Sequence, residues 1–210
     1  MSKLEIIHGS CADLDVDVVV NAANRNLWAG GGICGVIFNK AGHYELSNAC
    51  SKIRTPLKDG EAAITPAFNL KNAKYIIHAV GPDFNQTPSA FKELFDAYYS
   101  SLQLLKKHGL HSISFPLISS SIFGGRLDNP VRESTKQCIR AYNKFVNDNQ
   151  DYDIDVKLCA FTGKEYMEAM KEYKNMSSSK DLKPDPRERY DRWDYTCIEV
   201  VSMPNNRKTD

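Results

Sequence analysis

The sequence predicts an α/β fold built on a mostly parallel sheet, and three observations carry that expectation. Short β-branched runs alternate with longer segments of helical spacing along most of the chain. The run Val18-Val19-Val20 reads as a strand buried on both faces, and the three consecutive glycines Gly30-Gly31-Gly32 follow it within one loop. A length of 210 residues at 42% hydrophobic content suits one sizeable core and hardly two.

Leu4–His8 is the first expected strand and Asp17–Ala22 the second. Their short connection suggests antiparallel additions to the sheet. Helical spacing follows across Cys34–Ala41 and His43–Ser51. Glu61–Thr65 and Lys74–Val80 are strands, the latter stopping at Gly81-Pro82. The next helix has Thr87 as its cap and Pro88 at its first position, with Phe91, Leu94, Phe95, Tyr98, Leu102 and Leu105 on one face and Gly109 as its stop. His111–Leu117 is a strand. Asn129-Pro130 opens a second long helix, Asp155–Phe161 is a further strand, and a short helix lies near Lys164–Tyr173. From Ser177 the composition changes: Ser177–Lys180 reads as a linker, Thr196–Val201 as a strand and Asn205–Asp210 as disordered.

In such sheets ligands bind beyond the carboxyl ends of the strands, which selects the loops after Ala22, Val80 and Leu117. Lys and Arg total 27 against 26 Asp and Glu, so charge makes no case for duplex nucleic acid or an anionic membrane as a partner. Met1-Ser2-Lys3-Leu4-Glu5 leads into no apolar signal region, and no apolar run approaches a spanning length. The six cysteines form no CxxC pair or zinc-type cluster, so buried free thiols and a cytoplasmic setting are expected, without metal or cofactor. No GxxxxGK[ST], HExxH or paired-carboxylate site is present.

Two loops carry chemistry. In Asn21–Gly35, glycines permit close backbone approach, helix N–H groups can cradle phosphate oxygens, and Asn21 and Asn24 offer amides to hydroxyls. A glycine-rich turn with asparagine caps is the plainer alternative. In Ser114–Asn129, Ser119, Ser120 and Ser121 offer hydroxyls and N–H groups; Ile122-Phe123 is either a wall against a sugar or base or a staple under the next helix. Trp28 is either an exposed lid or a packing anchor. His43 starts or caps a helix, His78 reads as a core histidine, and Asp83 as a turn residue.

The ordered blocks Asn21-Ala22-Ala23-Asn24, Leu27, Gly30–Gly32, Gly35, Ala41-Gly42, Ile64–Ala67, Asn69-Leu70, His78, Val80-Gly81-Pro82 and Phe115–Ser119 resemble the macro-domain family. The resemblance spans roughly residues 4–174 and leaves Pro184–Asp210 outside it. It implies a three-layer αβα sandwich with a mixed, mostly parallel sheet over residues 1–176, and a C-terminal extension, partly extended or disordered, over 177–210. It implies binding of ADP-ribose, free or on an ADP-ribosylated protein. It also implies hydrolysis of ADP-ribosyl esters, on protein or in O-acyl-ADP-ribose. A non-catalytic ADP-ribose reader is the alternative.

Carried over by position, Asn24, Gly32 and Phe123 form the expected catalytic set, with Asn24 and Phe123 on the distal ribose. Gly31, Gly32, Ile33, Cys34 and Gly35 line that ribose and the diphosphate, with Asn21 and Ala22 at the strand end. Ser119, Ser120, Ser121, Ile122 and Gly124 wrap the diphosphate; Ser10, Cys11 and Pro82 complete the pocket. Three positions depart from the family. Ser10 stands where many members have an adenine-binding aspartate, Cys34 where the hydrolase branch often has an aspartate, and Ser121 where glycine is usual. Without a strong base, catalysis rests on positioning, and losing a general base typically costs about 10²–10⁴-fold. Arg187, Arg189, Tyr190, Arg192, Trp193 and Tyr195 in the tail suit a partner, a single RNA strand or the domain's own edge.

Overall fold

A computed structural model describes residues 1–178 and the backbone of 197–199. The strands are β1 (Lys3–His8), β2 (Val18–Ala23), β3 (Ala62–Pro66), β4 (Tyr75–Val80), β5 (Ser112–Pro116), β6 (Asp155–Ala160) and β7 (Cys197–Glu199). The helices are α1 (Gly32–Ala41), α2 (His43–Cys50), α3 (Phe91–Lys107), α4 (Pro130–Asp148) and α5 (Gly163–Ser178). The strands form one sheet in the order β1-β6-β5-β2-β4-β3-β7.

The β-branched run of β2 explains its central place. Val18, Val19 and Val20 are all 0% exposed. Val18 and Val20 pack into the cluster under α3, α4 and α5, whereas Val19 packs into the one under α1 and α2. The expected three-layer αβα sandwich is therefore present.

β1 corrects the expectation of antiparallel first strands. It pairs parallel with β6, and β2 pairs parallel with both β4 and β5. The short connection reaches past β6 and β5 instead of folding back, through a single 3-10 turn at Cys11–Asp13. The antiparallel strand is β3, paired with β4. β7 adds to β3 in parallel, so the strand expected at Thr196–Val201 is described at Cys197–Glu199; Arg187–Trp193 and Asn205–Asp210 lie outside the described residues.

Helix starts follow local chemistry. Asn129 accepts from the Arg132 N–H at 2.9 Å with Pro130 at the first position, as read from the sequence; such a cap contributes about 1 kcal/mol. Thr87-Pro88 opens only a turn over residues 88–90, closed by Ala90 N–H on the Thr87 carbonyl at 3.2 Å, and α3 begins at Phe91. α5 is longer than expected and takes Ser177 and Ser178 into its last turn. Thr162 and Glu165 form a reciprocal capping box at its start.

Candidate functional site

β1, β6, β5, β2 and β4 run parallel, so their carboxyl ends share one edge of the sheet. The loops after β2, β4 and β5 at this edge are the ones the sequence selects for a ligand.

The loop after β2 is tied by Asn24. Its Oδ1 accepts from the N–H groups of Asn26 (3.2 Å) and Trp28 (3.0 Å), and its Nδ2 donates to the Trp28 carbonyl at 2.8 Å. One Nδ2 hydrogen is left without an acceptor among the described residues. Cys34 Sγ also donates to the Trp28 carbonyl, at 3.7 Å. The knot holds Leu27 at φ 56°, a left-handed conformation costly for a bulky residue, with its side chain 2% exposed. Trp28 is 70% exposed, so the packing anchor of this loop is Leu27. Arg25 is fixed to Asp59 by paired bonds of 2.9 and 2.7 Å.

The start of α1 can take an anion, because Gly31 at its N-cap provides no side-chain cap and the first turn holds no acidic residue. The N–H groups of Gly32, Ile33 and Cys34 have no acceptor among the described residues, and the helix dipole adds to their field. Gly35 is required by crowding, since a Cβ there would lie 2.7 Å from the Gly30 carbonyl oxygen.

The loop after β5 is rooted deeply and open at its tip. Ile118 N–H donates to the buried Tyr98 hydroxyl at 3.0 Å, and that hydroxyl lies 2.7 Å from Ser134 Oγ. Ser134 Oγ donates to the Ile118 carbonyl at 2.6 Å. Ser119, at φ 54°, donates through Oγ to the Pro82 carbonyl at 2.7 Å. Phe84 N–H donates to the Phe123 carbonyl and Asn85 Nδ2 to that of Ile122, both at 2.9 Å. The N–H groups of Ser121, Ile122 and Phe123 find no acceptor among the described residues. Gly125, at φ 56°, admits no Cβ, because the Asn85 nitrogen is 2.6 Å away. Ile122 and Phe123 are 85% and 39% exposed, so they are not a staple under α4.

Asn21 is corrected as an exposed donor. It is 1% exposed, and its Nδ2 lies 3.1 Å from His78 Nδ1. His78 Nε2 meets Thr65 Oγ1 at 3.0 Å and Cys50 Sγ at 3.7 Å. Burial lowers the His78 pKa to about 4, which keeps the ring neutral, and burial raises that of Cys50 to about 12. His78 is thus the core histidine expected. Cys11, expected to line the pocket, is similarly buried, its thiol donating to the Val20 carbonyl at 3.7 Å. Ser10 accepts from Ala12 N–H at the 3-10 turn and keeps its hydroxyl proton to donate. Asp83 is a turn residue; the Asn85 amide lowers its pKa despite some desolvation, with further help from Gln86 and Arg25. His43 opens α2.

Phe161 is a candidate site residue that the sequence reading does not name. It is 74% exposed immediately after β6. The Gly9 N–H donates to the Ala160 carbonyl at 2.9 Å, which carries the β1–β6 pairing to the strand ends that Ser10 and Phe161 follow. An exposed ring at a strand end can serve as a platform for a planar base. The sequence signal was an aromatic at the last position of a strand whose next residue, Thr162, begins a helix cap.

No metal-ligating cluster of His, Cys, Asp or Glu occurs among the described residues, and none of their helices is long and apolar enough to cross a membrane.

The Macro domain family profile matches residues 20–133. The ADP-ribose glycohydrolase MACROD1 of Mus musculus is 35% identical over 176 residues, covering 81% of this chain and 52% of that protein. The O-acetyl-ADP-ribose deacetylase of Citrobacter koseri is 43% identical over 131 residues, covering 59% of this chain and 71% of that protein. Among solved structures, the Oceanobacillus iheyensis macrodomain with ADP superposes with a TM-score of 0.76 at 34% identity, covering 84% of this chain and 92% of that one.

Proposed function

The chain belongs to the macro domain family, and from that premise we propose that it binds ADP-ribose along the carboxyl ends of β1, β6, β5 and β2 and hydrolyses an ester at the terminal ribose. The observation that carries the reading is the pair of facing donor sets. The free N–H groups of Gly32, Ile33 and Cys34 and those of Ser121, Ile122 and Phe123 stand at the ends of adjacent strands β2 and β5. Both suit a diphosphate, whose oxygens take backbone donors at a helix start without a cationic side chain.

In this arrangement Phe161 and Ser10 take the adenine, the loops after β2 and β5 the diphosphate, and Asn24 the terminal ribose. The free Nδ2 hydrogen of Asn24 meets a ribose hydroxyl or the attacking water. The hydrolytic step is addition of water with loss of the carboxylic acid. Asn24 orients the reacting groups, and the ligand's diphosphate favours positive charge developing at the sugar. Asn21 acts from beneath, as a prop for the loop. A cytoplasmic location accords with the buried free thiols Cys11, Cys34, Cys50, Cys138 and Cys159.

A second reading, a reader without turnover, is favoured by Cys34. Its thiol points to the Trp28 carbonyl where a carboxylate base would serve a hydrolase. Calorimetry with ADP-ribose tests binding, and release of ADP-ribose from a glutamate-modified peptide tests turnover. Heat with no release at stoichiometric protein selects the reader; no heat at millimolar ADP-ribose refutes both.

A further inference from the structure

We infer that the Trp28 indole contacts the polypeptide to which the ligand is attached, so that this site favours protein-linked ADP-ribose over the free nucleotide. The inference rests on the ADP-ribose reading above.

Trp28 combines a pinned backbone with an unpacked side chain. Its N–H goes to Asn24 Oδ1 at 3.0 Å, and its carbonyl takes Asn24 Nδ2 at 2.8 Å and Cys34 Sγ at 3.7 Å. The indole is 70% exposed, while the neighbouring Leu27, at 2%, supplies the packing. Nothing in the fold requires a tryptophan here. An aromatic on a fixed backbone gives a large contact surface at little entropic cost when something binds.

The topology says what would bind. Phe161 and Ser10 mark the base end at β6 and β1, and β2 lies three strands from β1, about 14 Å at the usual strand spacing. Trp28 stands one hydrogen bond from Asn24, at the opposite end of the ligand. Any group bonded to the terminal ribose therefore leaves the crevice at this end. An acetyl group is too small to cover an indole, whereas the residues flanking a modified side chain are not. Ile122 repeats the construction on the loop after β5: its carbonyl is held by Asn85 Nδ2 at 2.9 Å, and its side chain is 85% exposed. Two unpacked apolar side chains on pinned backbones suit a peptide surface better than a sugar.

The test compares two probes: free ADP-ribose, and a glutamate-containing peptide carrying ADP-ribose through a non-hydrolysable linkage. Trp28→Ala should weaken the peptide conjugate about tenfold, the usual loss on truncating an interface aromatic, and leave free ADP-ribose within about twofold. Trp28→Phe keeps a ring and should recover most of the difference. Equal loss on both probes, or no loss on either, overturns the inference while leaving the binding function intact. Failure of the unaltered protein to bind free ADP-ribose removes the parent reading, and this one with it.

Discussion

Asn21 and His78 are register partners on β2 and β4, and their side chains meet at 3.1 Å beneath the loop that Asn24 ties. The contact needs an unprotonated Nδ1 on His78 to accept from the Asn21 amide. His78 is fully buried, and burial lowers its pKa from the ordinary 6.5 to about 4. Below pH 6.5 the unfolded chain takes up a proton that the folded chain refuses until about pH 4. Stability from this group is therefore complete above 6.5 and is lost as pH falls toward 4, by about 3 kcal/mol. Urea midpoints across this window should fall more steeply for the unaltered protein than for His78→Leu. Parallel slopes would show that His78 is not the titrating group.

Asn24 makes two separable contributions, fastening its loop and offering a donor. Asn24→Ala should cost about 1–2 kcal/mol of stability and weaken ADP-ribose at least about tenfold. Asn24→Asp keeps the acceptor for Asn26 and Trp28 but faces the Trp28 carbonyl with an oxygen. It should retain more stability than Asn24→Ala without regaining affinity. Unaltered affinity in Asn24→Asp, read by calorimetry, would show that the Nδ2 donor is dispensable.

Cys34 separates hydrolase from reader. Its thiol is 6% exposed and occupied with the Trp28 carbonyl, which leaves it no role as a base. Cys34→Ala should change single-turnover release of ADP-ribose by no more than about threefold. Cys34→Asp introduces a carboxylate near the helix N-terminus and should accelerate release by about tenfold or more, within the range of general-base catalysis. A large loss in Cys34→Ala would make the thiol a participant.

Phe161 and Ser10 address the base. Phe161 is too exposed to support the core, so Phe161→Ala should leave the melting temperature unchanged. Base stacking on an aromatic is worth roughly 1–3 kcal/mol, so ADP-ribose should weaken about 5- to 150-fold, and ribose 5-phosphate not at all. Ser10→Asp supplies a charged acceptor and should tighten ADP-ribose several-fold. Equal effects of Phe161→Ala on ADP-ribose and ribose 5-phosphate would place the ring away from the base.

Much of this was legible before the fold, because local chemistry decided it. Asn129-Pro130 fixes the start of α4 through one side-chain bond and one missing N–H, both readable from two letters. Val18–Val20 declares a two-sided burial that only a central strand satisfies. What remained hidden depends on partners distant in sequence. Thr87-Pro88 has the letters of a helix start, but the chain there makes a single turn, with Ala90 N–H on the Thr87 carbonyl, and α3 begins only at Phe91. Asn21 and Asn24 look alike in the loop, and only the neighbouring β4 turns Asn21 toward His78 and leaves Asn24 at the crevice. Phe161 reads as one more apolar strand residue until β6 pairs with β1, ends at Ala160 and leaves the ring exposed at the strand end.

The Tyr98 hydroxyl, held between the Ile118 amide and Ser134, splits one loop into two timescales. The Ile118 amide hydrogen follows a strand by only two residues, yet it should exchange with deuterium as slowly as the core, since its release requires parting α3 from α4. The amides of Ser121, Ile122 and Phe123, bonded to nothing among the described residues, should exchange within the dead time of the measurement. A ligand seated on the tip would slow those three and leave Ile118 unmoved. A mass-spectrometric footprint of this loop thus separates occupancy of the crevice from general tightening of the fold.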